Sequence, residues 1–261
     1  MTDNEDNSTR NNNLRTTEDG SHTLYSRQFD QHYHNPNGAV AESRHNFFEK
    51  NGLLDRLSEP ESITILETGF GTGLNLVLLA DEYLNRKLRH AVHFYSIEGF
   101  PVDAETARSF NYANHLDHPE LVDKLPRIFE QIEPGLNKFE LIPGVTLHLF
   151  FGLFKEFNPA NLEADFIFHD PFSPAVNEEL WTGDVFKKLA EWSSADAVLT
   201  TYSAASRARG AMAWAGWHVA REKGALGKRE MTVASRNPKK LAHLESVNEE
   251  RLARRYETND F

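Results

Sequence analysis

The feature that most constrains the fold of this chain is a short apolar run that ends in three closely spaced glycines. Ile63–Thr68 is rich in β-branched side chains, as expected of a strand buried on both faces, and Gly69, Gly71 and Gly73 follow it. Gly73–Asn85 then carries leucine and valine at helical spacing. Strand, glycine turn and helix in this order form the first half of a βαβ unit, and the helix start presents free N–H groups to a ligand.

Further runs of strand type alternate with helical patterns along the chain. They are His93–Glu98, Val145–Phe151, Phe166–His169, Ala197–Tyr202 and a closing pair, Gly216–Ala220 and Glu230–Ser235. Together with the first run, they predict an α/β, Rossmann-like fold with a mostly parallel, seven-stranded sheet and helices on both faces. Ligands of such sheets bind beyond the carboxyl ends of the strands, so functional residues are expected in the loops there.

Length and composition bound the domain organisation. The chain has 261 residues, enough for one substantial core. We expect one domain over residues 21–238, a disordered and almost wholly polar segment over 1–20, and a tail or helix over 239–261. No apolar run is long enough to span a bilayer, and there is no cysteine for disulfides or thiolate metal sites. These features indicate a cytoplasmic protein with no membrane partner.

Charge is unevenly distributed along the chain. The net charge of −11 argues against broad nucleic-acid binding, but residues 205–240 contain nine lysines and arginines against two glutamates. Such a segment favours phosphate binding, and the alternative is an ordinary solvated surface. The histidines show no spacing typical of metal ligands, so we expect no metal.

The glycine loop favours S-adenosylmethionine over a dinucleotide. An acidic residue, Glu67, closes the strand ahead of a G-x-G-x-G sequence, whereas a dinucleotide loop has its third glycine at the position of Leu74. Glu98 ends the second strand, where a carboxylate is placed to accept hydrogen bonds from both ribose hydroxyls. An ordinary tight turn is the alternative. The predicted cofactor-binding residues of these segments are Glu67, Gly69, Phe70, Gly71, Thr72, Gly73, Asn75 and Glu98.

The loop after the fourth strand, Asp170-Pro171-Phe172, is the predicted active site. A carboxylate there orients an amine nucleophile or accepts its proton, an aromatic ring packs against a planar substrate, and proline stiffens the loop. We therefore predict that Asp170 and Phe172 are catalytic and that Pro171 contacts substrate. The alternatives are that Asp170 caps the next turn and that Phe172 lies in the core. Four further residues are predicted to bind substrate, with simple packing or a salt-bridged hairpin as the alternative: Trp181, Tyr202, Lys228 and Arg229.

These motifs, taken in chain order, resemble one family. It is the methyltransferase half of the bacterial tRNA wobble-uridine enzyme MnmC, also found as the stand-alone MnmD type. The segments that carry the resemblance are Glu67–Asn75, Asp170–Pro174, Asn177–Thr182 and Gly227–Met231, with a lead-in that includes Ser26, Tyr33, Glu42 and Ser43.

The resemblance implies the fold, the cofactor and the reaction. The fold is that of class I methyltransferases, S-adenosylmethionine is the cofactor, and Gly152 and Asp170 are among the residues that contact it. The implied reaction is methylation of the exocyclic amine of 5-aminomethyl-2-thiouridine at the tRNA wobble position. Two-domain relatives also carry a flavin-dependent oxidase half. We expect no flavin in this chain, because its sequence has no second glycine fingerprint.

Several positions depart from the family pattern. Leu153 stands where the family has an aspartate for the adenine amino group, Gly99 replaces a lysine, His169 replaces a leucine, and Ala175-Val176 replaces a more basic stretch. Two other functions therefore stay open. One is a methyltransferase that acts on a protein or small-molecule amine, and the other is a non-catalytic protein that binds S-adenosylmethionine or tRNA.

Overall fold

The computed structural model describes residues 13–261, which contain two sheets. The small antiparallel sheet consists of β1 (Leu14–Thr16), β2 (His22–Ser26) and β3 (Gln31–His32). The large sheet consists of β4 (Ile63–Thr68), β5 (Val92–Glu98), β6 (Gly135–Ile142), β7 (Val145–Phe151), β8 (Ala164–His169), β9 (Ser193–Thr201), β10 (His218–Glu222), β11 (Met231–Ser235) and β12 (Glu245–Ser246). Its strand order is β12-β10-β11-β9-β8-β4-β5-β7-β6.

The centre of the large sheet is parallel, and its flanks are antiparallel. Strand β4 pairs in parallel with β5 and β8, which in turn pair in parallel with β7 and β9. Thr68 lies opposite Ile97 on one side and His169 on the other. The residues that follow these three strands are therefore neighbours at one edge of the sheet, where ligands of such folds bind.

Helices connect and cover the strands on both faces. They are α1 (Ala39–Arg44), α2 (Leu53–Arg56), α3 (Leu74–Asn85), α4 (Ala104–Arg108), α5 (Lys124–Gln131), α6 (Gly183–Glu191), α7 (Ser206–Trp214) and α8 (Glu249–Glu257). Helix α1 continues into a π-helical turn, His45–Glu49. Short 3₁₀ turns lie at Tyr112–His115, Pro119–Asp123, Phe154–Glu156, Glu178–Trp181 and Pro238–Leu241. No helix in residues 13–261 is long and apolar enough to cross a bilayer.

The core lies in two layers, one on each face of the large sheet. Successive side chains of a strand point to opposite faces, so Ile65 packs with one layer and Leu66 with the other. The first layer includes α3, α5 and the aromatic pair Phe47-Phe48, and the second includes α6 and α7. This two-sided burial explains why the central strands are continuous apolar runs.

The fold class is confirmed, and the strand count needs correction. Seven strands were expected, whereas the sheet has nine. Strand β6 was missed because exposed side chains alternate with partly buried ones along it, as is common for an edge strand. Strand β12 has just two residues.

The structure adds detail at both chain ends. The proposed disordered segment 1–20 includes β1, which pairs with β2, and Asp19, whose carboxylate accepts hydrogen bonds from the backbone N–H groups of Ser21 and Ala41. Residues 1–12 lie outside the described part of the chain. At the other end α8 is a helix, and Tyr256 on it accepts a hydrogen bond from the N–H of Gly183 at 2.7 Å.

Candidate active site

A cavity of about 600 Å³ opens at the carboxyl ends of the parallel strands. Its floor is formed by the residues after β4, β5, β7 and β8, and the segment 29–47 forms one wall. A cavity of this size is in the range of small-molecule sites. The site therefore lies where the order of strands and helices predicted it.

Backbone contacts hold the glycine loop after β4 against the predicted catalytic loop, Asp170-Pro171-Phe172. Gly69 has a φ of +91°, and a Cβ at this position would lie 2.8 Å from the carbonyl oxygen of Asp170. The N–H of Asp170 donates to the carbonyl oxygen of Thr68 at 3.0 Å. A side chain at Gly69 is therefore strained, because the backbone angle disfavours it and its Cβ would press on the carbonyl group of Asp170.

Glu98 joins the glycine loop to the end of β5. One carboxylate oxygen accepts the N–H of Gly71 and the other accepts the N–H of Phe100, both at 2.7 Å. Burial raises the pKa of Glu98, and the backbone N–H groups oppose that shift. Each oxygen has a second lone pair, so the carboxylate retains acceptor capacity toward the cavity that it lines.

Glu67 lies behind the glycine loop in a buried hydrogen-bond network. It accepts from the hydroxyl of Ser96 at 2.6 Å and from Nδ2 of Asn75 at 2.9 Å. Burial raises the pKa of Glu67 to about 8, although both hydrogen bonds lower it. The amide oxygen of Asn75 is buried and has no hydrogen-bond partner. Such an orphaned acceptor indicates a donor that belongs to a ligand or a water.

Asp170 lines the cavity at the end of β8. Its carboxylate lies 3.4 Å from Nδ2 of Asn75. Burial raises the pKa of Asp170 well above its usual value, and the negative charges of Glu67 and Glu42 add to the rise. A carboxyl group with a raised pKa is a stronger base than a solvated one, so Asp170 is suited to hold or accept a proton.

Two side chains donate hydrogen bonds to carbonyl groups of the loop 170–172. Nε1 of Trp181 donates to the carbonyl oxygen of Phe172, and the hydroxyl of Tyr202 donates to that of Pro171, both at 2.8 Å. Trp181 is buried against the second core layer and does not line this cavity, whereas Tyr202 does. Trp181 therefore positions the loop.

An aromatic wall lies at the loop 170–172, and sequence reasoning missed most of it. Its four rings are those of Phe29, Tyr33, Phe100 and Phe172. Phe172 stacks on Phe29 with ring centres 4.5 Å apart and meets the edge of Tyr33 at 5.0 Å. Phe29 also contacts Phe100, which is exposed. In the sequence, Phe29 is a large aromatic residue among polar neighbours, and this contrast was the available signal that Phe29 belongs to the site.

The predicted site residues fall into two groups. Those that line the cavity are Gly69, Gly71, Glu98, Gly152, Asp170, Pro171, Phe172, Tyr202 and Lys228. Those that lie behind or away from it are Glu67, Phe70, Thr72, Gly73, Asn75, Trp181 and Arg229. The ring of Phe70 packs on Phe129 in the core, and the hydroxyl of Thr72 accepts from Tyr112. A side-chain contact of Phe70 with a ligand is thus excluded by its packing.

Some of the cations in the basic segment 205–240 form ion pairs with carboxylates of the same chain. Arg209 is buried and pairs with Glu230 at 2.8 Å, and Arg221 reaches the same carboxylate at 3.4 Å. Lys228 pairs with Glu42 at 2.6 Å. Arg229 is exposed. Within residues 13–261, no group of three or more histidine, aspartate or glutamate side chains is arranged to hold a metal ion.

Comparison with known proteins agrees with this geometry. A family model described as S-adenosyl-L-methionine-dependent methyltransferase matches residues 118–237. The MnmC protein of Cupriavidus metallidurans, a bifunctional protein of tRNA 5-methylaminomethyl-2-thiouridine biosynthesis, is 37% identical over 216 residues. That match covers 81% of this chain and 32% of the relative. The chain belongs to the S-adenosyl-L-methionine-dependent methyltransferases.

Two further comparisons extend over most of the methyltransferase. The MnmC protein of Leptospira interrogans is 32% identical over 219 residues, which is 82% of this chain and 34% of the relative. The crystal structure of MnmC2 from Aquifex aeolicus superposes with a TM-score of 0.71 at 26% identity, covering 98% of this chain and 83% of that one. The methyltransferase spans about a third of the length of the curated relatives it matches. The expected family and fold are confirmed.

Proposed function

We propose that this methyltransferase, acting in the cytoplasm, methylates the exocyclic amine of 5-aminomethyl-2-thiouridine at the wobble position of tRNA. The observation that carries the proposal is the position of Asp170. This carboxylate with a raised pKa lies between the bare backbone of the glycine loop and an aromatic wall. The names of the MnmC relatives, which concern biosynthesis of this nucleoside, support the choice of acceptor.

The residues present fit S-adenosylmethionine on three observations. Gly69 and Gly71 line the cavity with backbone alone, so a ligand can approach closely. Asn75 lies behind the lining residues, beside Asp170, and its orphaned amide oxygen suits a donor that enters next to Asp170, such as an ammonium group. Glu98 retains acceptor capacity for ribose hydroxyls. These residues would hold the cofactor, and Leu153, which is 40% exposed at the rim, offers an apolar surface to the adenine.

The chemistry divides between cofactor and chain. When bound, S-adenosylmethionine supplies an electrophilic methyl group whose carbon–sulfur bond breaks with its electron pair left on sulfur. Asp170 orients the acceptor nitrogen and takes up the proton that the ammonium form must lose before its lone pair is available. The hydrogen bonds from Trp181 and Tyr202 fix the loop, so the carboxylate is held in place before the substrate arrives.

The aromatic wall provides a surface on which the uridine base stacks. Single-stranded RNA bases are recognised by stacking on aromatic side chains, and Phe29, Phe100 and Phe172 form a contiguous set of rings at the cavity mouth. Arg229 is exposed, and it follows the cavity residue Lys228 in the sequence. We assign Arg229 to a tRNA phosphate. Phosphate contacts make the affinity fall with rising salt concentration.

The proposal is tested by the choice of acceptor. The purified chain is incubated with methyl-labelled S-adenosylmethionine and one of three acceptors. These are tRNA with 5-aminomethyl-2-thiouridine, the same tRNA with 2-thiouridine, and a protein extract. We expect label in the first acceptor alone, recovered as 5-methylaminomethyl-2-thiouridine after nuclease digestion. Label in the protein extract with none in the aminomethyl tRNA would overturn the proposed acceptor, and no label in any acceptor would overturn catalysis.

A further inference from the structure

The cavity already holds one alkylammonium group, that of Lys228. Its Nζ lies 2.6 Å from a carboxylate oxygen of Glu42 and 5.2 Å from the centre of the Tyr202 ring. All three residues line the same cavity as Asp170. A carboxylate together with an aromatic face is a combination that binds alkylammonium ions well.

The two partners of this ion pair differ in how firmly they are held. The Glu42 side chain is 11% exposed, and its carboxylate also accepts from the backbone N–H of Asn35 at 3.0 Å and from its side-chain amide at 3.3 Å. The Lys228 side chain is 40% exposed and follows Leu226 and Gly227, both with positive φ. The carboxylate is therefore a fixed part of the cavity, and the cation is the more easily displaced partner.

The acceptor proposed above carries the same chemical group as Lys228. Its aminomethyl substituent is a primary alkylammonium ion at neutral pH, because unperturbed alkylamines have a pKa of about 10. We propose that Glu42 is the carboxylate that receives the alkylammonium group of the acceptor, and that Lys228 occupies this position until the acceptor displaces it. This inference rests on the proposed function, since it requires an amine acceptor.

Glu42 and Asp170 then have separate tasks at one site. Glu42 attracts and anchors the cation, whereas Asp170, which lies beside Asn75, aligns the nitrogen and takes its proton. The two carboxylates share Tyr202 as a neighbour: burial raises the pKa of Tyr202, and the charges of Asp170 and Glu42 add to the rise. The sequence placed Lys228 among the substrate-binding residues, within a basic segment that favours phosphate binding. A phosphate contact and a competing cation predict opposite effects of its removal.

The test measures discrimination between two RNAs that differ in one charged group. Anticodon stem-loops carrying either 5-aminomethyl-2-thiouridine or 5-methyl-2-thiouridine are titrated by fluorescence anisotropy in the presence of S-adenosylhomocysteine. For the unaltered chain we expect the aminomethyl RNA to bind more tightly. In Glu42→Gln we expect that preference to fall about 10- to 100-fold, the usual effect of losing a charge-assisted hydrogen bond, with binding of the methyl RNA unchanged. The amide retains one oxygen, which can still accept the backbone N–H of Asn35.

The matched control is Glu49→Gln, which makes the same change of charge in the same lead-in segment. Glu49 is 53% exposed and does not line the cavity, so its variant should discriminate as the unaltered chain does. Equal discrimination in Glu42→Gln and Glu49→Gln would overturn the inference. The proposed function would still stand if the unaltered chain methylates the aminomethyl RNA. If the unaltered chain does not methylate it, the inference about Glu42 and the proposed function both fail.

Replacing Lys228 gives a second test, in which the direction of the change in RNA affinity is decisive. In Lys228→Met the competing ammonium is gone, so the aminomethyl RNA should bind several-fold more tightly while the methyl RNA binds as before. A phosphate contact by Lys228 would instead weaken both RNAs, and that result would overturn its part in the inference. Lys228→Arg restores a competing cation and should bring the affinity back toward that of the unaltered chain. Melting temperatures of all variants establish that they are folded.

Discussion

The Gly69→Ala substitution tests whether the close approach of the glycine loop to the catalytic loop shapes the active site. Alanine at a φ of +91° costs about 1–2 kcal/mol relative to glycine. The added Cβ would also lie 2.8 Å from the carbonyl oxygen of Asp170 and 3.3 Å from Cα of Pro171. Both are backbone atoms, so relief requires a shift of the loop, which typically costs about 1–3 kcal/mol more.

We therefore expect Gly69→Ala to lower the free energy of unfolding by about 2–5 kcal/mol, because the angular strain and the contact add. For a protein of this size that corresponds to a fall in melting temperature of roughly 5–15 °C. The displaced loop should also weaken binding of S-adenosylhomocysteine at least ~10-fold, a loss of about 1.4 kcal/mol. Differential scanning calorimetry and isothermal titration measure the two effects.

Gly216→Ala is the matched control. Gly216 has nearly the same φ, +87°, but nothing lies within 4 Å of its Cβ position. This variant should lose about 1–2 kcal/mol of stability and bind S-adenosylhomocysteine normally. If the two alanine variants are equally stable and bind equally well, the close approach at Gly69 has no consequence and the reasoning is refuted.

Three further predictions follow from single groups of the site. In Asp170→Asn, turnover should fall at least ~100-fold with the affinity for S-adenosylhomocysteine nearly unchanged. In the unaltered chain, kcat/KM should rise with pH, because only the carboxylate form of Asp170 accepts a proton. The pKa of Glu67 is about 8 in the folded chain against an ordinary value of 4.5, so the folded state binds this proton more tightly. The free energy of unfolding should therefore fall by a few kcal/mol as pH rises from about 4.5 to 8, and denaturant titrations of Glu67→Gln should show a flatter profile. Trp181→Phe removes the donor to the carbonyl oxygen of Phe172, so kcat should fall about tenfold with KM for S-adenosylmethionine unchanged; an unaltered kcat would contradict the positioning role.

The central strands and the glycine loop were predictable because local sequence determines them. Ile63–Thr68 and Val145–Phe151 are strands over the same residues as expected, since strands buried on both faces must be continuous apolar runs. Glycines at positive φ between a strand and a helix are an equally local signal. The parallel order then brings the ends of β4, β5 and β8 together, which was enough to place Glu98 and Asp170 at one cavity.

The rest of the site depends on contacts between distant parts of the chain. Glu42 and Lys228 are 186 positions apart, and Ser173 meets Gln31 across 142. No local pattern encodes such pairs. The same limit applies to the basic segment 205–240, where charge alone favoured a phosphate surface although Arg209 is buried against Glu230. Sequence reasoning counted these charges but did not reveal their partners.

The most direct test of the account is a crystal structure of the chain with S-adenosylhomocysteine. We expect the ligand in the cavity beside Gly69 and Gly71, with its ribose hydroxyls on the carboxylate of Glu98 and its amino group within hydrogen-bond distance of the Asn75 amide oxygen. Ligand density elsewhere, or a cavity in which Glu98 makes no contact with the nucleoside, would contradict the claim that this loop holds the methyl donor.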